Sequence, residues 1–594
     1  LVLILLGTLT AVAMSLGLGY GIGDKVIVRE LAVRPGERLA FTMHSDAKNA
    51  PGAYAYVALR SDRNAGNLVL HDFKLVPGQP VKVEIPNEGR FNWQDHLALL
   101  ICLHDAGAPM RVTVGAIDLP GAAAVREFHD TPEERKARRE KLLHGRTTQI
   151  DTAFPYYHNR SNESIASELR VNGFDGVYYY TGMDTGLRSG LVGEMQRQKL
   201  GVGLMTLPSL VYWSEAQLAE RLPAGWRDWL IEFTGREMDI YRFIGFVYPE
   251  YNRWYKKYLN GMLSGHGFDA FTFAEIMYPI YDGPEKNPPF YGDVSPGFQA
   301  AFKRATGSET FPNFTDPAHP DYYKTNIALY RDYVEYRLKS INDFYREIWD
   351  GEGGLRRRHP EVIFGSWTIA LAGDETQMAE MREAEAQDGA RMVAGTLPDF
   401  HFLQSHWPDW IPEKQTPEYL TGYRPYMKAV RDAFPGLPLA VQGDFASTVP
   451  YRRTPGWERK FERTAKRVGF DFTAFYEFHV RHQVHFDPPR PVSGEVDAAG
   501  NGCVVFDQVI SPESANTLEG RALTGNRKLT GVRTDGNLLR FNVGGPVSAA
   551  EAVTVPLAGI TDDPSLRVPM PGIGTGRVNP VPPETRIRLQ FKGN

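Results

Sequence analysis

Residues 268–275 read FDAFTFAE, a short aromatic and apolar run that stops on a single carboxylate, Glu275. Such a run, rich in Phe and closed by a polar residue, is the pattern of a strand covered on both faces, as strands of parallel sheets are. Comparable runs lie on either side of it, at 147–153, 176–180, 202–206, 362–367, 400–405, 439–444 and 472–476. Helical stretches alternate with them, among them 165–172, 191–199, 322–349, 377–387 and 457–468. Eight alternations of strand and helix over about 330 residues fit a closed (β/α)8 barrel better than an open doubly wound sheet. No G-x-G-x-x-G turn follows the first strand, so a dinucleotide-binding reading loses its main support.

Outside these bounds the texture changes. From 25 to 119 the pattern is short alternating runs such as KVIV at 25–28 and VKVEI at 81–85, broken by Pro-Gly turns, which predicts an N-terminal β-sandwich. The stretch 131–144, TPEERKARREKLLH, has no apolar stripe wide enough for a core and predicts a solvated helical linker. Beyond His485 the helical pattern ends, and 518–542, 552–557 and 585–591 read as strands of a small C-terminal β domain. The expected domains are therefore 23–120, a linker at 121–145, a catalytic barrel at 146–487 and a β domain at 488–594. A chain of 594 residues needs such a division, because single cores stop growing at about 250–300 residues.

Residues 1–13 are apolar and uncharged, and Ala11-Val12-Ala13 has the small-x-small form of a signal-peptidase site. The expectation is an exported protein, periplasmic or extracellular, with 1–22 as its signal peptide. Left uncleaved, the same segment would attach the chain to a membrane, although Gly17, Gly19, Gly21 and Gly23 weaken it as a span. The formal charge of −5 supplies no basic field, which argues against a nucleic-acid partner. Two cysteines, Cys102 and Cys503, are too few for a disulfide framework or a Cys-based zinc site.

In a (β/α)8 barrel the chemistry sits where the strands end at their C-terminal side. The residues there are Asp151, Tyr157 and His158 after the first strand, Tyr180 and Asp184 after the second, and Glu275 and Tyr278 after the fourth. Trp367 follows from the fifth, Gln404, His406 and Trp407 from the sixth, Gln442 and Asp444 from the seventh, and Glu477 and His479 from the eighth. Carboxylates, amides, imidazoles and aromatic faces together suit a polyhydroxylated ligand, an oligo- or polysaccharide, held by hydrogen bonds and stacking. Cleaving a glycosidic bond needs two carboxyl groups: an acid with a raised pKa, and a nucleophile or base. Glu275 is the candidate acid. Asp444 is the first candidate for its partner and Glu477 the second, while Asp151, Tyr157, His158, Tyr180, Asp184, Tyr278, Trp367, Gln404, His406, Trp407, Gln442 and His479 are candidate substrate contacts.

The strand-four Glu275, then YGDVSPGFQAAFKRATG at 291–307, then the helix-forming HPDYYKTNIALYRDYVEYRLKSINDFYREIW at 319–349, resemble clan A glycoside hydrolases. Within the clan the likeness is nearest to the family 42 β-galactosidase-like barrels, and it covers about residues 146–480. The resemblance implies Glu275 as acid/base and a strand-seven carboxylate as nucleophile. Two positions depart from the pattern: Ala274 stands where the clan usually has Asn, and Asp444 where it has Glu. The shorter Asp444 side chain widens the gap between carboxyls, and carboxyl separation is what divides retaining from inverting enzymes. The cysteines of the family 42 metal loop are absent, so no metal and no cofactor are expected.

Two rival readings follow from these departures. One is a non-catalytic barrel that binds polysaccharide. The other is a metal-dependent hydrolase built on His401, His406, His479, His482 and His485, which lacks the H-x-H pair on strand one that such barrels carry, Gln149 and Asp151 standing there instead.

Overall fold

The computed structural model describes strand segments within residues 8–114 and the chain from 131 to 592, apart from 182–186, 189, 235–241, 279–290, 410–415, 445–451, 480–486 and 571–573. Asp184, His482 and His485 lie outside the described residues. The chain forms two compact units. One comprises Leu1–His129 with Thr152–Ile165 and Thr185–Leu191, and the other holds the remainder.

The larger unit contains an eight-stranded parallel sheet: β1 (Thr147–Ile150), β2 (Gly176–Thr181), β3 (Gly201–Thr206), β4 (Ala270–Phe273), β5 (Ile363–Ala370), β6 (Phe400–Ser405), β7 (Leu439–Asp444) and β8 (Phe472–Tyr476). Strands neighbour one another in sequence order, and β8 returns to the start of β1 through the parallel bridge Arg146↔Thr473. The Thr147 and Thr148 hydroxyls donate to the Thr473 and Phe475 carbonyls, at 2.7 and 3.3 Å, across the same seam. Followed through every ladder from Gln149, the register comes back to β1 eight residues earlier, the stagger of a (β/α)8 barrel.

That stagger fixes which inward side chains share a level, because each level takes one residue from alternate strands. Tyr178, Thr272, Phe402 and Ala474 form one layer, and the Tyr178 and Phe402 rings meet at 5.1 Å. Above it lie Gln149, Met205, Trp367 and Gln442. Tyr180, Ala274, Gln404 and Tyr476 come next, with the Tyr180 and Tyr476 rings 5.3 Å apart. Asp151 and Asp444 stand above these, at the rim.

The helix Pro132–His144 differs from the solvated linker expected of its sequence. It buries Arg138 and Leu142 under the N-terminal ends of the strands. The Arg138 guanidinium donates to both oxygens of the buried Asp269, at 2.8 and 3.0 Å, and Asp269 also accepts from the Val202 N–H. The helix comes so close to β3 that a Cβ on Gly201 would meet the Arg138 carbonyl at 2.5 Å. Pairing of Arg138 with a buried carboxylate through two of its nitrogens is what makes so polar a helix tolerable in a buried position.

After the barrel comes a five-stranded sheet ordered Thr530–Asp535, Leu538–Asn542, Asn501–Phe506, Pro491–Val496 and Gln590–Phe591, covered by a core that includes Val504, Phe506, Leu539 and Val555. Its hairpin Pro491–Val496 to Asn501–Phe506 was not anticipated. It turns on Asp497, whose side chain accepts from the Asn501 N–H at 2.8 Å. In the smaller unit, two four-stranded sheets carry the alternating runs read from the sequence, with Phe41, Met43, Val83 and Ile85 buried. Thr8–Ala11, within the segment read as a signal or anchor, pairs antiparallel with Met110–Val114. Among the described residues no helix is long and apolar enough to cross a membrane.

Candidate active site

Glu275 lies two residues past the end of β4, and the strand geometry carries on to its neighbour, whose Ala274 N–H donates to the Thr206 carbonyl at 2.9 Å. At Glu275 the backbone turns left-handed, with φ 51°. Such a conformation costs a non-glycine residue about 1–3 kcal/mol and survives where its surroundings impose it. Gln387 imposes it here: its side chain accepts from the Ile369 N–H at 2.9 Å and donates to the Ile276 carbonyl at 3.1 Å, clamping the ends of β4 and β5 together.

The Glu275 carboxyl is half-buried. Loss of hydration pushes its pKa up to about 7, a weak hydrogen bond from the Tyr212 hydroxyl opposes the rise, and the nearby Asp444 carboxylate adds to it. Tyr212 donates to Oε2 at 3.4 Å, the outer limit of a hydrogen bond. Asp444 closes β7, half-buried, and the guanidinium of Arg453 is near enough to interact with it. Tyr180 and Tyr476 complete this side of the mouth. Both phenols are pushed well above their usual pKa by burial and by the surrounding carboxylates, so they stay protonated donors.

Glu477, just past β8, has a different environment. It is fully buried, its Oε1 accepts from the Asp151 N–H at 2.9 Å, and its Oε2 accepts from the His479 N–H at 2.7 Å and from the His479 ring. This carboxylate ties the end of β8 to the end of β1. Asp151, itself fully buried, is held in place by it.

The other residues singled out in the sequence divide in the same way. Trp407 is 56% exposed and presents a free indole face to solvent. His406 uses both ring nitrogens: Nε2 is 3.0 Å from Glu385, and Nδ1 accepts the Trp407 N–H at 2.8 Å. Burial opposes its charge, but the Glu385 carboxylate raises the His406 pKa on balance. His406 thus orients Trp407. Gln404 and Gln442 are side by side in the register of β6 and β7, buried and inward. Trp367 is buried in the barrel's middle layer, because β5 runs on to Ala370 rather than ending at residue 367. Tyr278 is fully buried outside the lumen, its hydroxyl 2.6 Å from Ser340 and its ring under the Arg337 guanidinium. Neither is an open sugar platform. Tyr157 and His158 belong to the smaller unit, where Tyr157 is fully buried and its carbonyl accepts from Arg188 at 2.7 Å.

Among the described residues the histidines do not converge. His401 is clasped between the Ser366 and Thr368 hydroxyls at 2.8 and 2.9 Å, and burial pushes its pKa down to about 3. Among the described residues no group of three or more His, Cys, Asp or Glu side chains is arranged to hold a metal ion. Tyr212, Glu385 and Gln387 went unnoticed in the sequence. Tyr212 alone had a signal there, as one of the aromatics of VYW at 211–213, in the loop after the third strand.

No family model matches the chain, and no curated protein matches its sequence. Among solved structures, the chain is similar to the PgaB (BpsB) glycoside hydrolase domain from Bordetella bronchiseptica, at 12% identity over 56% of this chain and 93% of that one, with a TM-score of 0.39. It is similar to a β-galactosidase from Bacillus circulans sp. alkalophilus at 13% identity and a TM-score of 0.39, over 57% of this chain and about half (51%) of that protein's length. An endo-1,4-β-D-mannanase from Thermotoga petrophila gives 12% identity and a TM-score of 0.32, over 56% of this chain and 88% of that one. These neighbours are glycoside hydrolases of several kinds. Values this low carry no argument of their own, and the barrel rests on its ladders.

Proposed function

We propose that the barrel hydrolyses O-glycosidic bonds in an oligo- or polysaccharide, with Glu275 as the acid and Asp444 as its partner. The observation that carries this is a strand-four carboxyl raised to about 7, with a second carboxylate across the mouth close enough to contribute to the rise. At neutral pH a good share of Glu275 is protonated and can give its proton to the leaving oxygen, a task that requires a pKa near the working pH. Asp444, three strands further round the rim, either attacks the anomeric carbon or draws a proton from the attacking water. Trp407 supplies a face for stacking a sugar ring, and Tyr180 and Tyr476 supply hydroxyl donors.

The test is a screen of the full chain against a glycan panel, with product anomers followed by proton NMR. The expected result is turnover that Glu275→Gln and Asp444→Asn each reduce by at least 100-fold, and the first-formed anomer then tells retention from inversion. Turnover unchanged in Glu275→Gln would overturn the assignment. So would binding of glycans by the wild type with no turnover of any.

A further inference from the structure

Glu275 follows β4 and Trp407 follows β6, two strands further round the mouth. Three consecutive residues, Glu385, Ala386 and Gln387, join the two places from the end of the helix Glu375–Glu385, which follows β5. The Gln387 side chain accepts from the Ile369 N–H at 2.9 Å and donates at 3.1 Å to the carbonyl of Ile276, the residue after Glu275. On the other side, His406 Nδ1 accepts the Trp407 N–H at 2.8 Å, so the neutral ring carries its proton on Nε2 and gives it to Glu385 Oε1 at 3.0 Å. The backbone repeats both ties. The Glu385 carbonyl accepts from the Tyr278 N–H at 3.2 Å, and the His406 N–H donates to the Ala370 carbonyl, at the end of β5, at 2.9 Å.

Ala386 separates the two side chains. Its backbone is left-handed, with φ 56°, at a helix end where glycine is the usual residue. The side chain before it reaches the end of β6, and the one after it reaches the ends of β4 and β5. A non-glycine residue keeps such a conformation where its surroundings impose it, and here the bonds on both sides do so.

Glu385 and Gln387 are 5% and 4% exposed, too buried to meet a ligand, whereas Trp407 and the Glu275 carboxyl are open. An imidazole held at one nitrogen can still turn about its Cβ–Cγ bond, and one held at both cannot. Loss of the Glu385 carboxylate therefore frees the His406 ring, and with it the anchor of the Trp407 N–H. Loss of the Gln387 amide instead frees the left-handed turn at Glu275.

We propose, resting on the glycosidase reading above, that residues 385–387 are a positioning bracket with divided duties. Glu385, acting through His406, aims the Trp407 face that binds sugar, and Gln387 holds the Glu275 carboxyl where it gives its proton. Binding and chemistry thus depend on separate side chains of one turn.

The experiment uses variants of the full-length chain and two readouts that need no substrate: hydrogen–deuterium exchange of the Trp407 amide, and infrared titration of the Glu275 carboxyl. Glu385→Leu speeds the amide exchange about 5- to 10-fold and leaves the carboxyl midpoint where it is. Glu385→Gln, whose amide oxygen accepts the same proton, keeps the exchange slow. Gln387→Leu leaves the exchange of Trp407 unchanged, and its Glu275 midpoint falls toward the ordinary glutamate range as the carboxyl turns to water. Circular dichroism checks each fold, and His406→Phe and Gln387→Met, which break the same links, decide if a Leu variant does not fold. On a glycan that the wild type cleaves, Glu385→Leu raises KM about 3- to 10-fold with kcat nearly unchanged, and Gln387→Leu lowers kcat about 10-fold or more with KM nearly unchanged. Wild-type exchange at Trp407 in Glu385→Leu, a wild-type midpoint in Gln387→Leu, or two variants that move both readouts or both constants together each overturn the bracket and leave the glycosidase reading standing. The crossed pattern of exchange and midpoint in a protein that cleaves no glycan upholds the bracket as the support of Trp407 and Glu275 and removes the glycosidase reading.

Discussion

Glu275 and Glu477 both follow barrel strands, β4 and β8, and both stand at the rim, yet among the described residues one is half-open with a single weak hydrogen bond while the other is buried and accepts from Asp151 and His479. A carboxylate that is desolvated but poorly hydrogen-bonded holds its proton up to near neutrality, which is the state an acid catalyst needs. Glu477, with N–H donors on both of its oxygens, is a strut between the ends of β8 and β1. The comparison shows that a strand-end glutamate is not a role. The number and quality of the donors around it assign the role.

Four substitutions test that contrast. The largest effect is expected of Glu275→Gln, a loss of about 10²–10⁴-fold in hydrolysis of whichever glycan the wild type cleaves. The same change should stabilise the protein in alkaline solution. A carboxyl whose folded pKa is raised contributes stability that is fully present below about 4.5 and lost as pH rises through about 7. Glu275→Gln removes that loss, so its melting temperature should exceed the wild type's at pH 8 and match it at pH 4. Glu477→Gln should do the reverse, costing on the order of 2–4 kcal/mol in urea unfolding at pH 7, because it weakens three hydrogen bonds to a buried charge. If Glu477→Gln unfolds like the wild type, the strut reading breaks.

Asp293 sharpens the comparison from outside the mouth. It is fully buried and its pKa is pushed up to about 7 by loss of hydration, with backbone N–H bonds from Ser295 and Glu232 opposing the rise. The sign is the same as for Glu275, so Asp293→Asn should gain about 1 kcal/mol at pH 8 and nothing at pH 4. Hydrolysis should stay within a few-fold of the wild type, and a collapse of activity would place Asp293 in the catalytic machinery. The smallest effect is expected of Tyr212→Phe. Its hydroxyl lowers the Glu275 pKa through a hydrogen bond, so removing it should move the alkaline limb of the pH–rate profile upward by a few tenths of a unit. A downward move would contradict the geometry.

Much of the barrel was legible in the sequence. The bounds of β6, β7 and β8 coincide with the apolar runs at 400–405, 439–444 and 472–476, because each run is flanked by charged residues or turns. Glu275 and Asp444 were legible as the polar residues that close such runs. The rest depends on relations that a linear pattern does not hold. Arg138 finds Asp269 across 131 positions, so a helix that looks wholly solvated is anchored beneath the barrel. Trp367 looked like a rim aromatic because its strand was read three residues short. Gln149 and Gln442 share a layer only through the eight-residue stagger, and Gln387 reaches the strand-four turn from a helical region with no motif of its own.

The central claim is that Glu275 holds a proton near neutral pH, and it is open to measurement with no substrate in hand. Infrared difference spectra between the wild type and Glu275→Gln, taken from pH 4 to pH 9, isolate the carboxylic C=O stretch of this one group. The account predicts that the band persists to neutrality and titrates away with a midpoint near 7. A midpoint in the ordinary glutamate range, about 4–5, would contradict it.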